Sequence, residues 1–307
     1  MTQIRTVAIV GAGTMGRRIA FDCVRCGVLT RLYDAAPGMA EDAINWVHSM
    51  MDKWRQEGRV TSTVAKRAVA LLDAANTLDE CARDVDLAIE SVPENIALKQ
   101  QVFRLLDRVL PPNALMMSNT SAIPASRLAI ATERPERVLN VNFGHLGHRK
   151  VEMMGHAGTS PQTIAAVREF LRELGFLPIV VRGESVGYAT NRVWRAVKKE
   201  VLKLLDRELV SAEDIDRGWM LDWGTNVGPC GLMDHIGLDV VRDIELIYYD
   251  ESGDEDDRPP PLLDRMLAAG KLGTKSGEGF YRYPNPTYEQ PGFLDASPSP
   301  TEQPNAR

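Results

Sequence analysis

The apolar run Val7-Ala8-Ile9-Val10 leads straight into Gly11-Ala12-Gly13-Thr14-Met15-Gly16, and the segment after it, Arg17 to Cys26, is compatible with a helix. Glycines at this spacing between a β-branched run and a helical stretch restrict the chain to a strand, a tight turn and a helix start. Gly11 permits the turn, Gly13 lets the backbone approach a pyrophosphate, and Gly16 lets helix and strand pack closely. The phosphates would rest on the helix N-terminus around Thr14 and Met15, where unpaired N–H groups and the helix dipole favour negative charge. A second strand is predicted over 28–33. It ends at Asp34, eighteen residues past Gly16, where a carboxylate can accept hydrogen bonds from a ribose 2′-hydroxyl. A phosphate on that ribose would face the carboxylate, and Ala35, Ala36 and Pro37 offer no cation against it. Alternation points Arg31 away, so NAD is expected rather than NADP.

Beyond Asp34 the strand–helix alternation is interrupted, because 39–57 and 61–72 are both helical in period with no strand between them. Gly58 closes the first as a C-cap and Thr61 or Ser62 opens the second. The pair is a helical hairpin inserted in the nucleotide-binding half, and it carries Lys53, Arg55, Arg59, Lys66 and Arg67. These cations form either a solvated surface or a landing place for an anionic substrate arm. Alternation then resumes with strand 86–92, helix 96–110, strand 114–118, a short helix 124–131 and strand 138–143. A short antiparallel return strand 150–154, helix 161–174 and strand 177–181 follow.

The fold expected is α/β, a Rossmann-type doubly wound sheet over 1–183. An all-helical domain over 184–283 follows, with helices at 186–206, 212–220 and 238–249. Strand signal returns only at Gly279-Phe280-Tyr281-Arg282-Tyr283. Residues 250–257 and the prolines after them read as a loop. From Pro284 to the end, the Pro, Ser and Gln content marks a flexible tail.

A chain of 307 residues with 44% hydrophobic content is large enough for two buried cores, and a formal charge of −6 argues against nucleic acid or an anionic membrane as partner. No apolar run approaches the roughly 18 residues that span a bilayer, and the N-terminus leads directly into a strand rather than a signal peptide. The four cysteines lack framework spacing. Cys23 and Cys26 lie one turn apart on the first helix and read as core thiols, so a reduced, cytoplasmic protein is expected. No metal-ligand spacing and no G-x-S-x-G occur. His48, His156 and His235 have no partner pattern and read as structural.

Several segments, in order over about residues 4–283, resemble the L-3-hydroxyacyl-CoA dehydrogenase family. Besides the glycine fingerprint they are Glu90-Ser91-Val92-Pro93-Glu94-Asn95 with Lys99, Ser118-Asn119-Thr120-Ser121, and Gly187-Tyr188-Ala189-Thr190-Asn191-Arg192. Further on come Gly228-Pro229-Cys230-Gly231-Leu232-Met233-Asp234 and Lys271-Leu272-Gly273-Thr274-Lys275-Ser276-Gly277-Glu278-Gly279-Phe280-Tyr281. The resemblance implies a homodimer in which NAD takes a hydride from the hydroxyl-bearing carbon of a 3-hydroxyacyl substrate. It implies that Glu94, Lys99 and Asn119 lie near the cofactor, that Ser121 hydrogen-bonds the substrate oxygen, and that Asn191 supplies an amide to the substrate pocket. It casts Glu152 as the carboxylate that orients the catalytic base.

The base itself departs from the pattern. The family writes H-F-F-N-P there, and its offsets from Arg137 and Ser121 land on Asn142 in this chain. Glu152 is ten residues further on, where the family has twelve. An amide cannot take a hydroxyl proton at neutral pH, whereas imidazole can. His145, flanked by Gly144 and Gly147, is therefore the expected base, with His148 as the alternative. Glu152 would steady whichever imidazole turns inward. Arg149 and Lys150 in the same segment read as surface cations, a lysine being part of the family pattern here, with the alternative that the extra Arg149 binds a substrate carboxylate or phosphate. Three readings stay open: dehydrogenation of a 3-hydroxyacyl-CoA, dehydrogenation of a small non-CoA hydroxy acid, and a protein that binds NAD without chemistry.

Overall fold

The structure, a computed structural model, describes residues 3–144 and 149–295, and the chain divides between Thr190 and Asn191 into two compact units. The first unit runs β1 (Thr6–Val10), α1 (Thr14–Arg25), β2 (Leu29–Tyr33), α2 (Met39–Gln56), α3 (Ser62–Val69), β3 (Leu72–Ala74) and α4 (Leu78–Ala82). It continues with β4 (Leu87–Glu90), α5 (Ile96–Val109), β5 (Leu115–Ser118), α6 (Ala125–Ala129), β6 (Val138–Phe143), β7 (Lys150–Gly155), α7 (Pro161–Glu173) and β8 (Leu177–Val181). The strands form one sheet in the order β3-β2-β1-β4-β5-β6-β7-β8, with every neighbouring pair parallel except β6 and β7.

Alternation sorts each central strand between two cores. Val7, Ile9, Leu87 and Ile89 face the layer of α1, α2, α3 and α7, while Ala8, Val10 and Ala88 face that of α4, α5 and α6. Burial on both faces is why these strands read as unbroken apolar runs. The order reverses between β1 and β4, whose register pairs Val10 with Glu90. A crevice opens there at the carboxyl ends of the strands.

The inserted hairpin forms as expected. Thr61 Oγ1 accepts from Val64 N at 3.2 Å, and Gly58 takes a left-handed φ of +70° just past α2. Phe21 of α1 meets Trp54 edge-on, with ring centroids 4.9 Å apart. Three of its cations are paired with acids of the same hairpin, Lys53 with Glu57, Arg55 with Asp52 and Arg59 with Glu57. The predicted second helix of the hairpin, however, stops short of Leu72, which instead opens β3. Three residues are too few to carry a period. Their strand exists because Thr30 of β2 offers Leu72 a parallel edge.

The boundary between units lies seven residues beyond the expected 183. Residues 188–190 remain with the sheet because Tyr188 Oη donates to Thr120 O at 3.0 Å and the amides of Ala189 and Thr190 donate to Glu152.

The second unit takes most of α8 (Tyr188–Asp206), then α9 (Ala212–Trp223), α10 (Pro229–Ile236), α11 (Leu238–Ser252) and α12 (Pro261–Ala268). The helices α10 and α12 were hidden in sequence by their prolines, which here occupy the first helical position, where the missing N–H is no loss. Of residues 279–283, expected as a strand, only Arg282 makes an isolated bridge, to Glu278, beside a turn. That turn folds around Asp234, whose carboxylate accepts from Phe280 N and Tyr281 N at 2.9 Å each and from Tyr283 Oη at 3.1 Å. A Cβ on Gly279 would lie 2.0 Å from Asp234 Oδ1. Asp216 likewise closes the start of α10, accepting from Cys230 N, Gly231 N and Tyr281 Oη.

Residues 284–295, expected as part of a tail, begin packed, since Tyr288 is buried against Tyr281 with ring centroids 4.9 Å apart. The cysteines Cys23, Cys81 and Cys230 are buried and free, and burial pushes the Cys23 thiol well above its ordinary range. His156 and His235 are engaged by backbone groups, His156 Nε2 lying 2.8 Å from Pro135 O and His235 Nδ1 2.7 Å from Gly231 O.

Candidate active site

The turn after β1 is held from both sides. Gly11 N donates to Tyr33 O at 2.8 Å, and Ser91 N donates to Val10 O at 2.7 Å. Gly11 adopts φ +103°, and a Cβ on it would lie 2.5 Å from Ser91 O. One on Gly16 would lie 1.8 Å from Gly11 O, so α1 can pack this close only through glycine. A Cβ on Gly13 would meet nothing within 4 Å. The three glycines therefore divide as the fingerprint requires: two serve the packing of the turn and one keeps a ligand face open.

That face belongs to a cleft of about 740 Å³ at the carboxyl edge of the sheet. It is lined by Gly11, Gly13, Thr14, Met15 and Asp34 on one side and by Glu94, Asn119 and Ser121 on the other. Asp34 does not float at its rim. Its Oδ2 accepts from Ala12 N at 2.7 Å and its Oδ1 from Ala36 N at 2.9 Å, which fixes the carboxylate against the glycine turn with lone pairs to spare. Arg31 points to the other side and donates to Arg83 O, leaving the cleft without its charge. The open glycine face and the anchored acid fit a dinucleotide with an unphosphorylated ribose.

Behind the far wall lies a charge network that only the tertiary structure assembles. Lys99 is fully buried and its Nζ donates to Glu90 Oε1 at 2.8 Å, to Val92 O at 3.0 Å and pairs with Glu94 Oε2 at 3.2 Å. Glu90, equally buried, also accepts from Ser118 Oγ at 2.5 Å and from Val92 N at 2.7 Å. Burial pushes the Glu90 carboxyl up, against the pull of the Lys99 ammonium and these hydrogen bonds. The other oxygen of Glu94 takes the amides of Ser121 and Ala122 at 3.1 Å each and the hydroxyl of Thr120. Glu94 and Lys99 thus set the loop carrying Ser121, which stands exposed in the cleft. Glu90 stands in the motif that carries the resemblance but is given no role there, because it reads in sequence as part of a buried strand.

Asn119 ties the cleft to β6, since its Oδ1 accepts from Phe143 N at 3.3 Å. The next residue back, Asn142, pairs in antiparallel register with Glu152 of β7, so both side chains leave the same face of the sheet. Glu152 is fully buried. Its Oε1 accepts from Ala189 N at 3.0 Å and Thr190 N at 2.9 Å, while its Oε2 accepts the Thr190 hydroxyl and faces Lys150 Nζ at 3.4 Å. Among the described residues this carboxylate therefore caps α8. His145 and His148, the expected base and its alternative, lie outside the described residues. Arg149 turns to Gly175 O at 3.5 Å. Asn191 is exposed and opens the second unit.

Sheet order, glycine turn and anchored acid together define a dinucleotide-binding fold of the Rossmann type. Residues 6–185 match the model of the 3-hydroxyacyl-CoA dehydrogenase NAD-binding domain, and residues 187–283 that of the C-terminal domain of the same enzymes. The chain belongs to the 3-hydroxyacyl-CoA dehydrogenase family, whose members are NAD-dependent oxidoreductases. It is 32% identical to a probable 3-hydroxybutyryl-CoA dehydrogenase of Bacillus subtilis (strain 168), over 93% of this chain and 99% of that one. It is 31% identical to a 5-formyl-3-hydroxy-2-methylpyridine 4-carboxylate 5-dehydrogenase of Mesorhizobium japonicum, over 96% and 94% of the two chains. Among solved structures, the (S)-3-hydroxybutyryl-CoA dehydrogenase of Ralstonia eutropha superposes with a TM-score of 0.85 at 33% identity, covering 92% of this chain and all of that one. No helix among the described residues is long and apolar enough to cross a membrane.

Proposed function

We propose that this protein oxidises the hydroxyl-bearing carbon of a 3-hydroxyacyl thioester, or of a related hydroxy acid, with NAD. The observation that carries the reading is the cleft in which Gly13 and Asp34 face Glu94, Asn119 and Ser121. Gly11, Gly13 and Gly16 with Thr14 and Met15 would hold the diphosphate, and Asp34 the ribose. The cofactor supplies the hydride-accepting ring. The protein supplies orientation: Lys99 fixes Glu94, Glu94 fixes the amides of Ser121 and Ala122, and the Ser121 hydroxyl holds the substrate oxygen. Its proton goes to His145, in the segment that joins β6 to β7, with Asn142 standing where the family pattern has its histidine.

The test is to follow NAD reduction by the purified protein over a panel of 3-hydroxyacyl-CoAs and free hydroxy acids. Turnover on a member of the panel supports the reading, and tight NAD binding with no reduction across it overturns it in favour of a cofactor-binding protein without chemistry. That second reading draws on Asn142, a side chain that takes no proton, opposite a carboxylate already committed to α8. His145→Ala should lower turnover by about a hundredfold or more at unchanged NAD affinity; unaltered turnover removes His145 from the role.

The same reading includes a homodimer built through the helical unit and a reducing, cytoplasmic setting. Leu209, Leu221 and Trp223 are each about two-thirds exposed there, apolar side chains of the kind that a second copy would cover. The free buried cysteines fit a compartment that keeps thiols reduced. A molar mass measured in solution decides the first point.

A further inference from the structure

We infer that Lys150 is a catalytic residue whose ammonium hydrogen-bonds the substrate oxygen and steadies the negative charge that gathers there as the hydroxyl proton leaves. The inference rests on the reading of the protein as an NAD-linked dehydrogenase, and adds to it a group that the sequence left as a surface cation.

Three observations converge on it. The first is position: Lys150 opens β7 beside the carboxyl end of β6, two residues from Glu152 and therefore on the same sheet face as Glu152 and Asn142. This is the edge at which a doubly wound sheet holds its ligands. The second is orientation. Lys150 Nζ donates to Thr190 Oγ1 at 2.5 Å and faces Glu152 Oε2 at 3.4 Å, so a buried carboxylate and a hydroxyl aim a side chain that is itself 42% exposed. Of the three N–H donors of an ammonium, these contacts use two among the described residues, and one is left for a ligand. Arg149, by contrast, turns to the backbone of Gly175.

The third is continuity with the cleft. Thr190 stands two residues after Tyr188, whose hydroxyl binds Thr120 O, and Thr120 adjoins Ser121. From the other side, Asn119 binds the amide next to Asn142. The chain that carries the Lys150 partner Thr190 is thus tied, through Tyr188, to the residue next to Ser121.

In the step proposed, the O–H bond of the substrate breaks and its proton passes to the base. The electron pair left on oxygen would become the second bond of the carbonyl, the hydride of the same carbon being accepted by NAD when it is bound. No bond to Lys150 forms or breaks; its N–H···O contact is worth most while charge sits on oxygen, which is what makes it catalytic rather than merely binding.

The experiment compares wild type, Lys150→Ala and Lys150→Met with 3-hydroxybutyryl-CoA and with free 3-hydroxy acids, following NAD reduction and NAD binding separately. Loss of one preorganised donor to a developing oxyanion lowers turnover by about a hundredfold to a thousandfold. We expect at least a tenfold fall in kcat for both variants, NAD affinity within twofold of wild type, and partial recovery of Lys150→Ala on adding ethylammonium. A fall of less than tenfold overturns the inference, as does a fall that ethylammonium does not relieve. If Lys150→Ala does not fold, Lys150→Met, which keeps the stem, decides by the same tenfold mark. A wild type inert on every substrate overturns the dehydrogenase reading itself, and a wild type that turns over while the variants match it overturns only the role of Lys150.

Discussion

Buried carboxylates do opposite work in the two units. In the helical unit, Asp216 and Asp234 are wholly enclosed and their oxygens are spent on backbone amides and tyrosine hydroxyls, so they close turns and have nothing left to offer. In the sheet unit, Asp34 and Glu94 are also held by backbone amides, yet each lines an open cleft. The same chemistry, a carboxylate gripping N–H groups, becomes structural or functional according to whether solvent reaches its remaining lone pairs. An acid in a glycine-rich motif is therefore no guide to function until its surroundings are known.

The sharpest way to break this contrast is Asp234→Ala. It strips partners from the buried amide of Tyr281, the half-buried amide of Phe280 and the hydroxyl of Tyr283, each group left unsatisfied costing about 1–3 kcal/mol. We expect a loss of stability of about 3 kcal/mol or more, read from denaturant unfolding, with NAD affinity unchanged in the folded protein. A loss below about 1 kcal/mol would return Asp234 to the functional side.

Asp34→Ala should do the reverse. Removing a charged acceptor of ribose hydrogen bonds, worth about 1.5–3 kcal/mol, weakens NAD binding by roughly tenfold to a hundredfold, with a smaller loss of stability than Asp234→Ala because one of the two amides it frees, that of Ala36, is exposed. Calorimetric titration checks it, and unchanged affinity would detach Asp34 from the cofactor.

Gly13→Ala should split the two properties in opposite directions. Its φ of −65° and ψ of −164° suit alanine, and a Cβ meets nothing within 4 Å, so the folded protein gains about 0.4–1 kcal/mol. NAD binding should weaken, because the added methyl enters the cleft.

The smallest effect is electrostatic and lies in the second unit. A hydrogen bond from Lys199 holds the Asp257 carboxyl at about 2, below its ordinary 3.8, with Arg195 adding to the effect. A carboxylate favoured in this way by the folded state contributes stability in full above its unfolded value of about 4, and loses it as pH falls through about 2. The difference in melting temperature between wild type and Asp257→Asn should therefore be present at pH 6 and shrink steadily below pH 4. A difference that persists at pH 2 would show that packing, not charge, accounts for it.

Much of this was legible in the chain. The glycine spacing with Asp34, the inserted hairpin with its Thr61 cap, and the antiparallel β7 all follow from local periods and from residues with one conformational use. The misses were of two kinds. Short elements such as β3 have no period to read, and α10 and α12 were masked by prolines that begin helices as readily as they end them. The other kind concerns partners distant in sequence. Nothing local to Glu90 announces Lys99 and Ser118, and nothing local to Glu152 announces the first amides of α8, 37 and 38 residues away.

The sequence by itself determined the sheet, the cofactor and the family, because those rest on backbone conformation and hydrophobic period, which are written residue by residue. Only the tertiary structure decided that Glu152 grips a helix start, that Lys150 stands aimed beside it, and which acids keep a free lone pair. Such assignments depend on which distant groups meet at one edge of the sheet and on what burial leaves unsatisfied, and folding alone fixes both.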